Sequence, residues 1–257
     1  MIPSIFNPRF NYDLIRLGNK NDGGYLVEKN SIITTKYLVS FGINDDVSFE
    51  SDFLKFLDNK IKCYAFDNVV DSNFWLKKIM IEFARFLIFK TTFKKFIDLI
   101  KKKNSFFNFF KNNFFTKATI SNLEGKDNLN LKNCFEYSKL INSEDIFLKI
   151  DIEGSEYRIL SEVINFQNKF SGIIIEFHDF DERLNDIKIF VQQLKLKIVH
   201  FHINNFGLVN KKKIPSVVEI TFAKNPTKIN NKNLKLPHKL DMPNSMQLKD
   251  LIPKFEI

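Results

Sequence analysis

Cysteine is scarce in this chain, and its placement is as telling as its number. The two residues, Cys63 and Cys134, lie in or beside apolar segments and have no metal-type spacing. That argues against a disulfide framework or a thiolate metal site and predicts buried, reduced thiols in a cytoplasmic protein. Long apolar runs are also missing. No uncharged stretch approaches the ~20 residues needed to span a bilayer. The N-terminus, Met1-Ile2-Pro3-Ser4-Ile5-Phe6-Asn7-Pro8, has no charged segment followed by an apolar one, so no signal peptide is expected. Glycine is sparse, with eight in 257 residues, and no G-x-G-x-x-G turn is present. Those glycines let backbone approach a pyrophosphate. Without them, a dinucleotide cofactor is not expected, whereas a nucleoside cofactor without phosphates remains compatible. Internal repeats are absent.

The chain does have phenylalanine and positive charge in excess: 30 Phe and a net charge of +9. The charge is not spread evenly. Residues 72–117 hold 11 Lys or Arg against two acidic residues, so this one stretch accounts for the whole excess. Apolar residues recur there at helical spacing: Trp75, Ile79, Phe83 and Phe86, then Phe93, Phe96 and Ile100. Two or three amphipathic helices are predicted, as an insertion at about 72–115. Their apolar face is expected to pack on the sheet. Their basic face can meet a phosphorylated substrate or an anionic membrane surface.

The stretch Ile146-Phe147-Leu148-Lys149-Ile150-Asp151-Ile152-Glu153-Gly154-Ser155-Glu156 organises the remainder. A short apolar run rich in β-branched residues predicts a buried strand. It ends in two carboxylates, and Ser155 with Glu156 can open a helix. Ile173-Ile174-Ile175-Glu176-Phe177-His178 repeats the pattern, as does Ile198-Val199-His200-Phe201-His202-Ile203-Asn204-Asn205. Further strands are predicted at 36–43, 61–66, 115–120, 128–131 and 217–223, with helices near 49–57, 156–165 and 182–193. Strands alternating with helices imply a parallel sheet, whose carboxyl-end rim is where ligands bind. His178, His200 and His202 fall at or near strand ends expected to be adjacent. Two imidazoles and one carboxylate suit a divalent metal with open positions, typically Fe(II), with Mg²⁺ or Mn²⁺ possible. Asp151, His178 and His202 are the ligand candidates, with Glu176 and Glu153 as alternates. Histidines that merely hydrogen-bond in a pocket are an equal expectation, and His238 has only that reading.

Two further stretches point to a cofactor. Asn21-Asp22-Gly23-Gly24-Tyr25 is a turn signal, either a plain hairpin or a loop that folds over a ligand. Ser40-Phe41-Gly42-Ile43-Asn44-Asp45-Asp46 links a strand to a helix, and Asp67 ends the next strand 25 residues after Gly42. That resembles the spacing from a Rossmann turn to the carboxylate that holds a ribose.

Taken together, Leu148 to Glu156, Arg16 to Tyr25, Ser40 to Glu50 and His202 to Phe206 resemble the motifs of the FkbM-type S-adenosylmethionine-dependent methyltransferases. The resemblance runs from about residue 16 to 206. The insertion and a proline-bearing tail at about 225–257 fall outside it. It implies an α/β class I methyltransferase Rossmann-like fold: one domain over 1–257, with a mostly parallel seven-stranded sheet, one reversed strand and helices on both faces. It implies O-methylation of a sugar or other natural product, with S-adenosyl-L-methionine as cofactor. On that basis Gly42, Asn44, Asp46 and Glu50 form the first cofactor turn, and Asp67 holds the ribose. Asp22, Gly23, Gly24 and Tyr25 line or cover the cofactor. Asp151 and His202 face the reaction centre, and Lys149 is a candidate base whose simpler and preferred reading is a salt-bridging lysine. Asn204, Asn205, Lys77 and Arg85 are candidate substrate contacts. The expected acceptor is a nucleotide-activated sugar such as a nucleotide-diphosphate heptose, in capsular polysaccharide synthesis. RNA methylation and a non-enzymatic membrane-surface role are the rival readings.

Overall fold

The computed structural model describes residues 1–123, 125–229 and 234–256. An antiparallel hairpin comes first, β1 (Leu14–Gly18) and β2 (Gly24–Glu28). The short helix α1 (Lys29–Ile33) leads into β3 (Tyr37–Phe41), and α2 (Ser48–Phe56) into β4 (Lys62–Asp67). Two long helices follow, α3 (Ser72–Leu87) and α4 (Phe93–Phe109), then β5 (Phe114–Lys117). A small parallel pair, β6 (Thr119–Ile120) and β7 (Asn128–Leu129), precedes α5 (Leu131–Tyr137) and the central strand β8 (Ile146–Ile150). Next come α6 (Leu160–Phe166), β9 (Phe170–Phe177), α7 (Leu184–Gln193), β10 (Lys197–Ile203) and β11 (Val218–Ala223).

Seven strands form one sheet in the order β10-β11-β9-β8-β3-β4-β5. All neighbours run parallel except β11, which is antiparallel to both β9 and β10. This is the mostly parallel α/β sheet with one reversed strand that the resemblance implied. From β3 the chain winds outward to β4 and β5, and from β8 it winds the other way to β9. The strand order therefore reverses between β3 and β8, which opens a crevice at their carboxyl ends.

Period-two alternation of the strands divides the core between the sheet's two faces. Every residue of β8 is buried. Ile146, Leu148 and Ile150 join Val39, Ile173 and Ile175 under Leu131, Val163 and Phe190 of α5, α6 and α7. Phe147 points the other way, into a cluster with Leu38, Phe53, Ala65 and Ile174. Each such large side chain, fully buried, contributes about 1.5–3 kcal/mol. Lys149, on the Phe147 face, is thereby buried beside the crevice. Cys63 and Cys134 are both buried and unpaired.

Several local expectations differ from what forms. The predicted helix from Glu156 begins as a 3-10 turn, Glu156–Arg158, because the Glu156 side chain bonds back to the preceding loop. Helix α5 was not anticipated. Its signal is Asn130, whose side chain caps the helix at the Asn133 amide. The insertion forms two helices, but they pack on each other more than on the sheet. Phe83 meets Phe96 and Phe86 meets Phe93, with ring centroids 5.7 and 5.6 Å apart. Trp75 and Phe106 are the insertion's buried anchors in the core. Tail residues 230–233 and 257 lie outside the described residues. Much of the remainder crosses back over the fold, with bridges from Tyr12 to Lys228 and from Ile2 to Phe255.

Candidate active site

At the crevice between β3 and β8 lies a cavity of about 610 Å³. Gly42 is the reason β3 and β8 can approach there. Its φ is +70°, and a Cβ on it would sit 1.6 Å from the Asp151 carbonyl oxygen. No side chain fits at that position. Asp67, at the end of β4, closes the neighbouring turn. Its Oδ2 accepts from the Ile43 and Asn44 amides at 3.1 and 2.9 Å, and its Oδ1 from the Val69 and Val70 amides at 2.7 and 3.2 Å. The expected ribose ligand is thus also the clamp that shapes the turn. The β1–β2 hairpin forms as a plain hairpin and also contributes Asn19, Asp22, Gly23 and Tyr25 to the cavity wall. Asn19 and the Ser48 amide both bond to Asp46, which ties the hairpin turn to the start of α2.

The cavity's electrostatics oppose those of the chain. Asp22, Asp45, Asp46, Glu50, Asp67, Asp151 and Glu153 line it, against Lys102 and Lys149. A protein of net charge +9 has therefore built an acidic cavity. Lys149 is 5% exposed and donates to the Gly42 carbonyl at 3.0 Å. Burial alone would lower its pKa, but the charges of Asp151, Glu50 and Glu176 outweigh it and raise the pKa. The Lys149 Nζ lies 3.8 Å from Asp151, which fits the salt-bridging reading and disfavours a role as base. Burial raises the Asp151 carboxyl, and Lys149 and His178 hold that rise back.

Tyr25 stands between two carboxyls, with Asp151 Oδ2 at 3.0 Å and Glu176 Oε2 at 3.1 Å. A phenol has one proton, so it cannot donate to both. Burial, then the charges of Asp151 and Glu219, push the Glu176 pKa well above the carboxylate range. Its Oε1 accepts from Asn204 at 2.8 Å. The Tyr25 hydroxyl therefore donates to one of the two carboxyls at a time.

Beyond Asp151 the loop turns through Glu153 and Gly154, both at positive φ. Glu156 holds it from inside: its Oε1 accepts from the Ile152 and Gly154 amides and meets His178 Nδ1 at 3.0 Å. His178 Nε2 lies 3.3 Å from Glu153. Burial works against the charged form of His178, but the Glu156 hydrogen bond and the charges of Glu156, Glu176 and Asp151 raise its pKa to about 9. Ligand atoms of Asp151, Glu153 and His178 lie within 4.8 Å of one another, the group among the described residues able to hold a metal ion. The donor set fits a divalent ion. One His nitrogen is oriented by a carboxylate while the other faces the cluster, a usual arrangement around metals. With one imidazole and two carboxylates, the donors favour Mg²⁺ or Mn²⁺ over Fe(II).

His202 is not part of this group. β11 lies between β9 and β10, so the histidine strands are not adjacent. His202 is 2% exposed, with Nδ1 3.2 Å from Glu219 and Nε2 3.1 Å from Asp250. Burial is overcome by those hydrogen bonds, which raise its pKa to about 10. His200 lies 2.9 Å from Asp241. The two asparagines are structural as well. Asn204 serves Glu176, and Asn205 binds Ser245, Leu248 and Lys249 backbone. The stretch 241–250 fills this side of the rim, which is why these residues meet chain rather than open space. Gly24 is packed in β2 against Asn19 and does not line the cavity. Lys77 is exposed, and exposed Arg85 lies 3.6 Å from Glu82. Neither lines the cavity. The insertion instead contributes Lys102, which with Lys78 pairs with Asp45. Sequence reasoning missed Lys102, Thr119 and Asn68 in the wall, and buried Glu156 and Glu219 and half-buried Asp250 as histidine partners. The acidic residues had no visible signal, because their partners are distant in the chain.

No family model matches the chain, and no curated protein sequence does. Among solved structures it is similar to a proposed methyltransferase from Thermoplasma acidophilum. The identity is 8% and the TM-score 0.36, over 74% of this chain and 68% of the other. It is also similar to a precorrin-6y C5,15-methyltransferase from Geobacter metallireducens GS-15. There the identity is 11% and the TM-score 0.35, over 75% of this chain and 84% of the other. Likeness at that level says nothing about activity.

Proposed function

We propose that this protein is an S-adenosylmethionine-dependent O-methyltransferase of the FkbM type. The observation that carries the reading is the acidic cavity at the switch point of the sheet, with a tight Gly42 turn and no phosphate-binding glycines. A phosphate-bearing cofactor would be repelled by Asp22, Asp46, Glu50 and Asp67 around the Gly42 turn, where Lys102 is engaged by Asp45. A nucleoside that carries a sulfonium and an ammonium group matches both the charge and the missing loop. Asp67, in the cavity wall, would accept from the ribose hydroxyls, and Asp22, Asp46 and Glu50 would offer carboxylates to the cationic end.

The cofactor supplies a methyl group that is already activated. The chain's own residues then have two tasks: to align an acceptor oxygen and to take its proton. Proximity supplies about 7–11 kcal/mol of such a barrier. Asp151 is the base, with its carboxyl raised by burial towards a useful pKa. Tyr25 and Lys149 hold it in place from one side. Asp151, Glu153 and His178 would hold a divalent metal, which supplies a lowered pKa to a bound hydroxyl. The acceptor we favour is a nucleotide-diphosphate sugar, such as a heptose, for a surface polysaccharide. Its diphosphate would draw Lys102 and Lys78 from Asp45.

Calorimetry with S-adenosylhomocysteine and transfer of labelled methyl to sugar nucleotides, free sugars and RNA test the reading. We expect cofactor binding and methylation of the nucleotide-linked sugar. No cofactor binding would end the methyltransferase reading. Methylation of RNA alone, or equal rates on free and linked sugars, would end the sugar-nucleotide part.

A further inference from the structure

The α3–α4 hairpin has an outer surface that the site does not use. Leu76, Met80, Phe83 and Leu87 stand at i, i+4, i+7 and i+11 on α3, which makes one stripe. Each is between 46% and 62% exposed. The stripe runs on to the hairpin tip, where Ile88 is 59% and Phe89 96% exposed. Phe89 adopts φ +56°, a conformation rare for residues with a side chain, and the turn thereby presents its ring to solvent. The contact between the helices uses the neighbouring face, through Phe86 with Phe93 and Phe83 with Phe96. Apart from the Phe83 edge, the stripe is not spent on holding the hairpin together.

The same hairpin carries exposed cations: Lys77 on α3, Lys90 at the tip, and Lys94 and Lys95 on α4. Among the described residues no helix is long and apolar enough to cross a membrane. An amphipathic element of this kind lies in the plane of the lipid headgroups, with aromatic and aliphatic side chains inserted and cations on anionic lipid. We propose that the α3–α4 hairpin docks the protein on an anionic lipid bilayer, with Phe89 and the Leu76–Leu87 stripe as the inserted face. Charge complementarity selects this occupant over two others. A second copy would bring an equally basic hairpin against the first and be repelled. A nucleic acid would satisfy the cations but leave the apolar stripe in water. The proposal is independent of the methyltransferase reading.

The test is co-sedimentation of the full chain with phosphatidylcholine vesicles, with and without phosphatidylglycerol. Binding is expected only with the anionic lipid. Leu87→Asp with Phe89→Asp should weaken it at least about tenfold. Lys90→Glu with Lys94→Glu should weaken it by about fivefold or more per charge. Both double variants change exposed side chains, so their melting temperatures should match the parent's. Failure of the parent to bind anionic vesicles would overturn the proposal. So would unchanged binding by Leu87→Asp with Phe89→Asp, or a dimer in sedimentation equilibrium that this variant dissolves. Tight RNA binding with no vesicle binding would assign the basic face elsewhere and overturn it too.

Discussion

The two halves of the sheet's carboxyl-end rim are built from similar residues and arranged in opposite ways. In the half made by β3, β4 and β8, carboxylates face an open cavity. In the half made by β9, β11 and β10, His200, His202, Asn204 and Asn205 meet partners from the chain itself. What separates the halves is coverage. Segment 241–250 crosses the second half and supplies Asp241, Asp250 and backbone carbonyls, while the first half is edged by the turn of the β1–β2 hairpin and by Lys102 and stays open. A polar strand end is a candidate site only where nothing else in the chain reaches across it.

The strongest way to break that contrast is to change one residue in each half. Asp151→Asn removes the proposed base of the open half. Methyl transfer should fall by a factor of about 10²–10⁴, the usual range for such a group. S-adenosylhomocysteine affinity should stay within a few-fold by calorimetry, since the backbone turn is intact. An equal loss of affinity would make Asp151 a binding residue and leave the base unassigned.

The matching change in the closed half, His202→Ala, should act on stability and spare chemistry. It leaves Glu219 buried beside Asn244 without its cation. Breaking a buried pair in this way costs about 3–5 kcal/mol, measured as a shift of the urea midpoint. The sign with pH follows from the raised pKa. His202 titrates near 10 in the folded chain and at its ordinary value of 6.5 when unfolded. Its stabilisation is complete below about pH 6.5 and is lost as pH rises through about 10. The parent should therefore lose more stability than the variant over that window. Parallel curves for the two would remove His202 as the clasp of the C-terminal segment.

The open half was the more legible of the two. Gly42, Asp22, Gly23, Tyr25, Asp46, Glu50 and Asp151 all line the cavity, because each lies near a strand end or, for Glu50, in the first turn of the helix that follows one, where the turn is encoded locally. The sheet was legible for the same reason: Ile146–Ile150 and Phe170–Phe177 are apolar runs of strand length. The closed half was not legible. Its outcome depends on β11 inserting between β9 and β10 and on partners such as Asp250, 48 residues from His202. Spacing carries no record of such contacts. Glu156 does open a helical turn, but its bond to His178, 22 residues away just beyond β9, left no local signal for a similar reason.

Asp67 sharpens the contrast within the open half, because it is both wall and clamp. Asp67→Ala frees four backbone amides, those of Ile43, Asn44, Val69 and Val70. Each buried donor left unsatisfied costs about 1–3 kcal/mol, and water entering from the cavity offsets part of the sum. The variant should melt at lower temperature and bind S-adenosylhomocysteine at least about tenfold more weakly, one lost charged hydrogen bond. Asp67→Asn keeps two acceptor positions on its carbonyl oxygen and should restore part of the stability more readily than the affinity. Recovery of both together would reduce Asp67 to the clamp alone.

The smallest effect concerns the insertion, where the expected substrate contacts Lys77 and Arg85 lie away from the cavity and Lys102 lines it. Lys102 pairs with Asp45 at 2.9 Å but is 42% exposed, so solvent screens the pair. Such pairs contribute about 0.2–1 kcal/mol. Lys102→Ala should therefore leave stability nearly unchanged. Its effect belongs on the acceptor: if the diphosphate draws Lys102 from Asp45, KM for the nucleotide-linked sugar should rise several-fold, about 1.4 kcal/mol at most for a factor of ten. The constant for a free sugar should not move. Lys77→Ala should change neither, since its side chain is not in the cavity wall. A rise in KM for Lys77→Ala equal to that for Lys102→Ala would show that the whole basic face, rather than its cavity end, receives the acceptor.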